Sequence, residues 1–143
     1  MQKITKEEFL DKVKTGIRHF RGYSFSDLDL KDLRGLSDIN FELCDFNLTK
    51  FNRSIMPNCK FIRCCFHYVG FNNTEISGTK FEYCHFFQAS FFGMSMHRGA
   101  FNYCENLDFK LFKGADTSLA EIKETSCNQT HGDFLDNLIE EHT

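Results

Sequence analysis

From Phe41 to Phe101 every fifth residue is large and apolar: Phe41, Phe46, Phe51, Met56, Phe61, Phe66, Phe71, Ile76, Phe81, Phe86, Phe91, Met96 and Phe101. Ten of the thirteen are Phe, and at 41% hydrophobic content such a run has a chance of roughly 10⁻⁵. Two residues before each centre stand mostly small side chains, from Ile39, Cys44, Thr49 and Ser54 through to Cys84, Ala89, Met94 and Gly99. The two positions after it collect Asn47, Asn52, Asn58, Asn72, Asn73, Gly78, Gly93 and Asn102, with Pro57 the only proline. Asn and Gly tolerate the left-handed backbone of tight turns, and Pro presets the first turn residue. A helix repeats every 3.6 residues and a strand every two, so neither period fits. The unit reads small, variable, large apolar, turn, turn, which predicts very short strands joined at corners. Four corners close a coil, residues twenty apart stack in columns, and the large centres fill the interior.

This pattern resembles the pentapeptide-repeat family, whose unit is a small residue, Asp or Asn, Leu or Phe, and two variable positions. The match runs from Ile39 to Cys104 and departs from the family in preferring Phe and in having few acids or amides before the centre. The resemblance implies an all-β, right-handed quadrilateral β-helix solenoid, four units to a coil. Three to four coils are expected, flanked by short N- and C-terminal helices.

At the ends the pattern changes. Thr5 to Gly16 reads as a helix, with Thr5 and Glu8 as a capping box and Phe9, Leu10 and Val13 on one face. Leu28 and Leu33 are five apart but out of phase with Leu36 and Phe41, so a bulge is expected in the entry coil. After Cys104, Asn106 falls on the next centre and only Leu111 returns to phase. A second helix is predicted over 133–141, with Phe134, Leu135, Leu138 and Ile139 on one side. The expected organisation is a helical cap over 1–22, a repeat region over 23–112 with clean units over 39–104, and a C-terminal segment over 113–143. Open solenoid ends expose core and strand edges, so both helices read as caps.

Cys44, Cys64, Cys84 and Cys104 lie twenty apart and fall in one inward column. Successive coils ~4.8 Å apart spread four sulfurs over ~14 Å, whereas one zinc needs every ligand within ~2.3 Å. These cysteines read as small packing residues. Asp45, Cys65, His85 and Glu105 form an outward column near His67, and Cys65 with His85 has the residue types of a zinc site; a solvated polar face is the expected reading, with no metal and no cofactor. No HExxH, phosphate-binding glycine loop, paired CxxC or GxSxG elbow is present, so no catalytic residue is assigned.

The chain's 143 residues carry 17 basic and 20 acidic side chains, a formal charge of −3, which argues against nucleic-acid or membrane partners. Seven cysteines behind an opening, MQKITKEEFL, that has no signal-peptide core predict reduced thiols and a cytoplasmic location. Function is expected at outward apolar positions: Leu43, Tyr83 and Tyr103 in one column, Leu48 and Tyr68 in another, and Phe87 and Phe92 on adjoining sides. Such a surface predicts a non-catalytic interaction or scaffolding module with a protein partner, or a homodimer through this patch or the C-terminal segment. The family resemblance also implies an alternative, imitation of DNA to shield gyrase from inhibitors. Residues 37–105 hold six acids against six bases, a net zero that is unlike the phosphate ladder of a duplex.

Overall fold

The structure is a computed structural model and describes residues 1–123. It is a parallel β-solenoid. Strands β2 (His19–Arg21), β4 (Asn40–Glu42), β5 (Lys60–Ile62), β6 (Lys80–Glu82), β7 (Ala100–Asn102) and β8 (Glu121–Lys123) pair in that order in one sheet. Three further ladders of single bridges run alongside, such as Asp45–Cys65–His85–Glu105 and Lys50–Gly70–Ser90. Each coil therefore meets the next once every five residues. The strands are two or three residues long because a turn follows each centre.

The centres fill the interior. Phe41, Phe61, Phe81 and Phe101 stack nearly face to face, 4.8 to 5.2 Å between ring centres. A second column runs through Phe25, Phe46, Phe66 and Phe86, and a third through Phe51, Phe71, Phe91 and Phe112. The ring separation matches the spacing of paired strands, so backbone pairing and ring stacking reinforce each other. Neighbouring columns meet edge to face, as Phe61 does with Phe66 at 5.1 Å and 76°. Leu36, Met56, Ile76 and Met96 make the fourth, aliphatic column, all fully buried.

The small position has a second role that its size conceals. Thr49, Ser54, Thr74 and Thr79 donate their hydroxyls to the carbonyls of Phe25, Leu30, Phe51 and Met56, the centres of the preceding coil. Cys44, Cys64, Cys84 and Cys104 donate their thiols in the same way to Phe20, Phe41, Phe61 and Phe81. Ser, Thr and Cys alternate here because each is compact and carries one donor. Burial pushes the Cys59 thiol up to about 11. Burial and then the neighbouring thiols raise Cys84 well above the ordinary thiol value.

Both ends carry a one-residue slip. The first coil's centres are Phe20, Phe25, Leu30 and Leu36, and β2 pairs with β4 at an offset of 21 (Phe20 opposite Phe41). The extra residue lies between Leu30 and Leu36, where Gly35 takes a φ of 76° that few other residues adopt easily. Leu28 and Leu33 are only half-buried against the core. The entry coil thus has the expected bulge, and the ladder begins at His19, inside the segment expected to be cap.

At the other end Asn106, at φ 62°, is the inserted residue. The centres resume at Leu107, Phe112, Thr117 and Ile122, and Phe101 pairs with Ile122 across 21 residues. The loss of pattern expected after Cys104 is therefore a change of phase: Phe112, one residue past the Leu111 that counting by five reaches, occupies the centre. Six rungs stand where three to four coils were expected, and the ladder reaches Lys123, beyond the expected boundary at 112.

Helix α1 (Lys6–Lys14) closes the first coil. Its N-cap Thr5 and Glu8 make the expected capping box. Phe9 and Val13 are buried, and the Phe9 ring meets Phe20 at 5.0 Å and Phe25 at 5.2 Å. Strand β1 (Gln2–Lys3) pairs with β3 (Tyr23–Ser24), fastening the cap to the first coil. The helix predicted over 133–141 lies outside the described residues. No helix among the described residues is long and apolar enough to cross a membrane.

Candidate interaction surface

The turn geometry decides which side chains leave the rod. At the second residue after each centre the amide points along the axis and donates to the next coil: Leu43 to Ile62, Tyr68 to Phe87, Tyr83 to Asn102, Tyr103 to Lys123, at 2.7 to 3.0 Å. Making that bond from a sharp corner requires a left-handed backbone, and φ is 52° at Leu43, 63° at Leu48, 58° at Tyr68, 56° at Tyr83 and 57° at Tyr103. The left-handed turn throws these side chains outward. It also strains any residue with a Cβ, by ~1–2 kcal/mol, and Asn and Gly fit it far better.

All seven expected surface residues are exposed, from 39% for Leu43 to 56% for Tyr68. Six of them fall into two ridges on successive corners. Tyr83 and Tyr103 stack at 5.1 Å, and the Arg63 guanidinium lies over the Tyr83 ring at 4.9 Å in the same column as Leu43. On the next corner Tyr68 meets Phe87 edge to face at 5.6 Å, with His67 against Phe87 at 6.1 Å and Leu48 one coil away. Phe92 stands on a third corner and joins neither ridge.

Between the ridges runs the polar column Asp45, Cys65, His85 and Glu105, so the apolar surface is two parallel ridges with a wet valley between them. His85 Nδ1 lies 3.2 Å from Glu105 Oε2. Cys65 is half-buried, and burial followed by the Asp45 carboxylate pushes its thiol up, which disfavours the thiolate a metal would need. Among the described residues no three His, Cys, Asp or Glu side chains converge on a metal-sized point.

Sequence reasoning overlooked Arg63 and Leu119. Arg63 sits at the turn position of the Leu43 column, so the twenty-residue step that found Tyr83 and Tyr103 also passes through it. Leu119, 67% exposed, occupies the same kind of turn (φ 58°), but only after the slip at Asn106 that hid it.

A crystal structure of a pentapeptide repeat protein, Rfr23 from the cyanobacterium Cyanothece 51142, superposes with a TM-score of 0.54 at 8% identity, covering 84% of this chain and 93% of the other. This chain has the pentapeptide-repeat fold. QnrB1, a plasmid-mediated fluoroquinolone resistance protein, aligns with a TM-score of 0.45 at 20% identity over 75% of this chain, which spans 62% of that structure. A pentapeptide repeat protein of the Arabidopsis thaliana thylakoid lumen aligns with a TM-score of 0.41 at 14% identity, covering 88% of this chain and 91% of its own. No family model and no curated sequence matches. What is shared with the Rfr23 solenoid is architecture; at 8% identity the ridge residues carry over nothing from it.

Proposed function

We propose that this pentapeptide-repeat solenoid is a non-catalytic protein-interaction module and that its two aromatic ridges are the contact surface. The observation that carries this reading is the conflict at the corners. Leu43, Leu48, Tyr68, Tyr83 and Tyr103 hold bulky side chains at left-handed turns where Asn or Gly would be more stable. A local rule broken repeatedly, at exposed positions and with aromatic residues, points to a demand other than folding. Tyr and Phe supply large contact area at small entropic cost, and Tyr adds a hydrogen-bonding edge.

Catalysis finds no support in the same geometry. Stacked rings fill the interior, and among the described residues the depression beside Ala100 is lined by Lys80, Arg98, Gly99, Ala100, Leu119 and Glu121, with no Ser, Thr, Cys or His. Imitation of a DNA duplex is also disfavoured by charge. Residues 19–123, the full length of the ladder, hold twelve acids and twelve bases, while a duplex carries about one negative charge per 1.7 Å.

The test is affinity capture from the native host with wild type and Tyr68→Asn/Phe87→Ser in parallel. The reading expects proteins retained by the wild type and lost by the variant while its circular dichroism and melting point are kept. Equal capture by both would refute it.

A further inference from the structure

We propose that the inward cysteine column Cys44, Cys64, Cys84 and Cys104 is a site for a soft monovalent metal ion, copper(I), held in line between the sulfurs of two successive coils. The site is separate from the ridges. Four cysteines in one column are an excess that packing leaves unexplained.

The other three columns vary freely at the small position. They read Thr49, Val69 and Ala89; Ser54, Thr74 and Met94; and Ile39, Cys59, Thr79 and Gly99. One Cys in those ten positions stands against four in four in the remaining column. If the thiol served only to fill space and bond a carbonyl, Ser or Thr would do as well, since Ser54 and Thr79 donate to the equivalent carbonyls in other columns. The repeated choice of sulfur calls for chemistry that a hydroxyl does not supply.

The sulfurs are placed for it. Asp45, Cys65, His85 and Glu105, which follow the four cysteines, pair in register from coil to coil. Each sulfur sits between two carbonyls, one in the preceding coil at 3.3 to 3.6 Å and one two residues back at 3.4 to 3.6 Å. The four sulfurs therefore repeat at the coil spacing, which the neighbouring Phe46, Phe66 and Phe86 rings mark at 5.0 to 5.1 Å. Cys64 lies within hydrogen-bond reach of the Cys44 and Cys84 thiols, and Cys84 of Cys64 and Cys104. Two metal–thiolate bonds of ~2.3 Å placed end to end span ~4.6 Å. An ion between neighbouring sulfurs thus needs them to close by only a few tenths of an ångström.

The same ladder rejects other metals. Zinc takes four ligands at the corners of a tetrahedron, and sulfurs strung along a line offer two. Calcium and magnesium take oxygen. Copper(I) is soft, prefers thiolate sulfur and is satisfied by two collinear ligands. Binding exchanges two thiol protons for one ion, so both protons leave to solvent and the dithiolate–metal unit carries a single negative charge over two large sulfurs. The four cysteines are 0 to 2% exposed. The ion therefore enters as the coils fold or open locally, and once seated it is shut off from water and from competing ligands.

The experiment refolds the full-length protein without oxygen in the presence of copper(I), dialyses it against excess bicinchoninate, a copper(I) chelator, and counts copper per chain. Wild type is compared with Cys64→Ser/Cys84→Ser and with Cys59→Ser/Cys65→Ser, each variant lacking two thiols. Wild type and Cys59→Ser/Cys65→Ser are expected to keep at least about one ion per chain. Cys64→Ser/Cys84→Ser, which leaves Cys44 and Cys104 three coils apart, is expected to lose it. Copper X-ray absorption of the loaded wild type should show two sulfur neighbours with no nitrogen or oxygen, and this measurement needs no variant to fold. An empty wild type would overturn the proposal. So would equal retention by Cys64→Ser/Cys84→Ser, loss from Cys59→Ser/Cys65→Ser, or a shell of three or more ligands.

Discussion

The middle of the ladder and its two ends obey the same rule with different strictness. From β4 to β7 the register is twenty throughout, and the paired Phe rings lie within 11° of parallel. In the first and last coils the register is 21, and Phe20 tilts 22° from Phe41 at 5.7 Å. Each end takes up its surplus residue in one left-handed position, Gly35 or Asn106, and then returns to phase. The solenoid needs an apolar residue over each centre and an amide over each carbonyl; it does not need an unbroken count of five.

The comparison breaks most visibly at the ring columns. Phe66→Ala removes a ring held between Phe46 and Phe86 and should cost ~3–5 kcal/mol in urea unfolding. Leu107→Ala in the last coil should cost about 2 kcal/mol, with amide exchange fastest in the terminal coil, because an end coil frays where a middle coil cannot. Equal costs with uniform exchange would show that ends and middle are one unit.

Alkaline pH probes the buried thiols. Cys59 stays protonated in the folded protein up to about 11, whereas an unfolded thiol ionises near 9. The unfolded state therefore loses its proton first, and stability should be level below about pH 8 and fall as pH rises from 9 to 11, by ~2–3 kcal/mol for this thiol. Cys59→Ala should flatten that slope. At the hydroxyl version of the same position, Thr79→Val deprives the Met56 carbonyl of its donor and should cost ~1–2 kcal/mol. Smaller still is the slip itself. Gly35→Ala meets nothing within 4 Å, so its cost of about 1 kcal/mol is purely the backbone's.

What was legible in the sequence follows this division. Phe41 to Phe101 could be read by counting, because every coil there repeats the one before it. The capping box at Thr5 and Glu8 was legible because it is local. The final coil was missed because a one-residue slip at Asn106 defeats counting while leaving pairing intact: Phe91 still stacks on Phe112 at 4.6 Å. The donor role of the small position was invisible, since Cys84 and Thr79 look alike only once their carbonyl partners are known. At the surface, exposure of the seven residues was readable from turn position, but their division into two ridges depends on the polar column between them. Arg63 was overlooked because a charged residue in an apolar column reads as a gap until its place over Tyr83 is seen.

Inward rings fill the core of this molecule and the outward rings stand exposed, and the proposal that the outward ones serve contact requires that folding can do without them. The most direct test is equilibrium unfolding of Tyr68→Asn/Phe87→Ser beside Phe66→Ala. The corner variant is expected to lie within ~1 kcal/mol of wild type, or above it, because Asn suits the left-handed turn that Tyr68 strains. A loss approaching that of Phe66→Ala would mean that the ridges are part of the core, and would contradict the account.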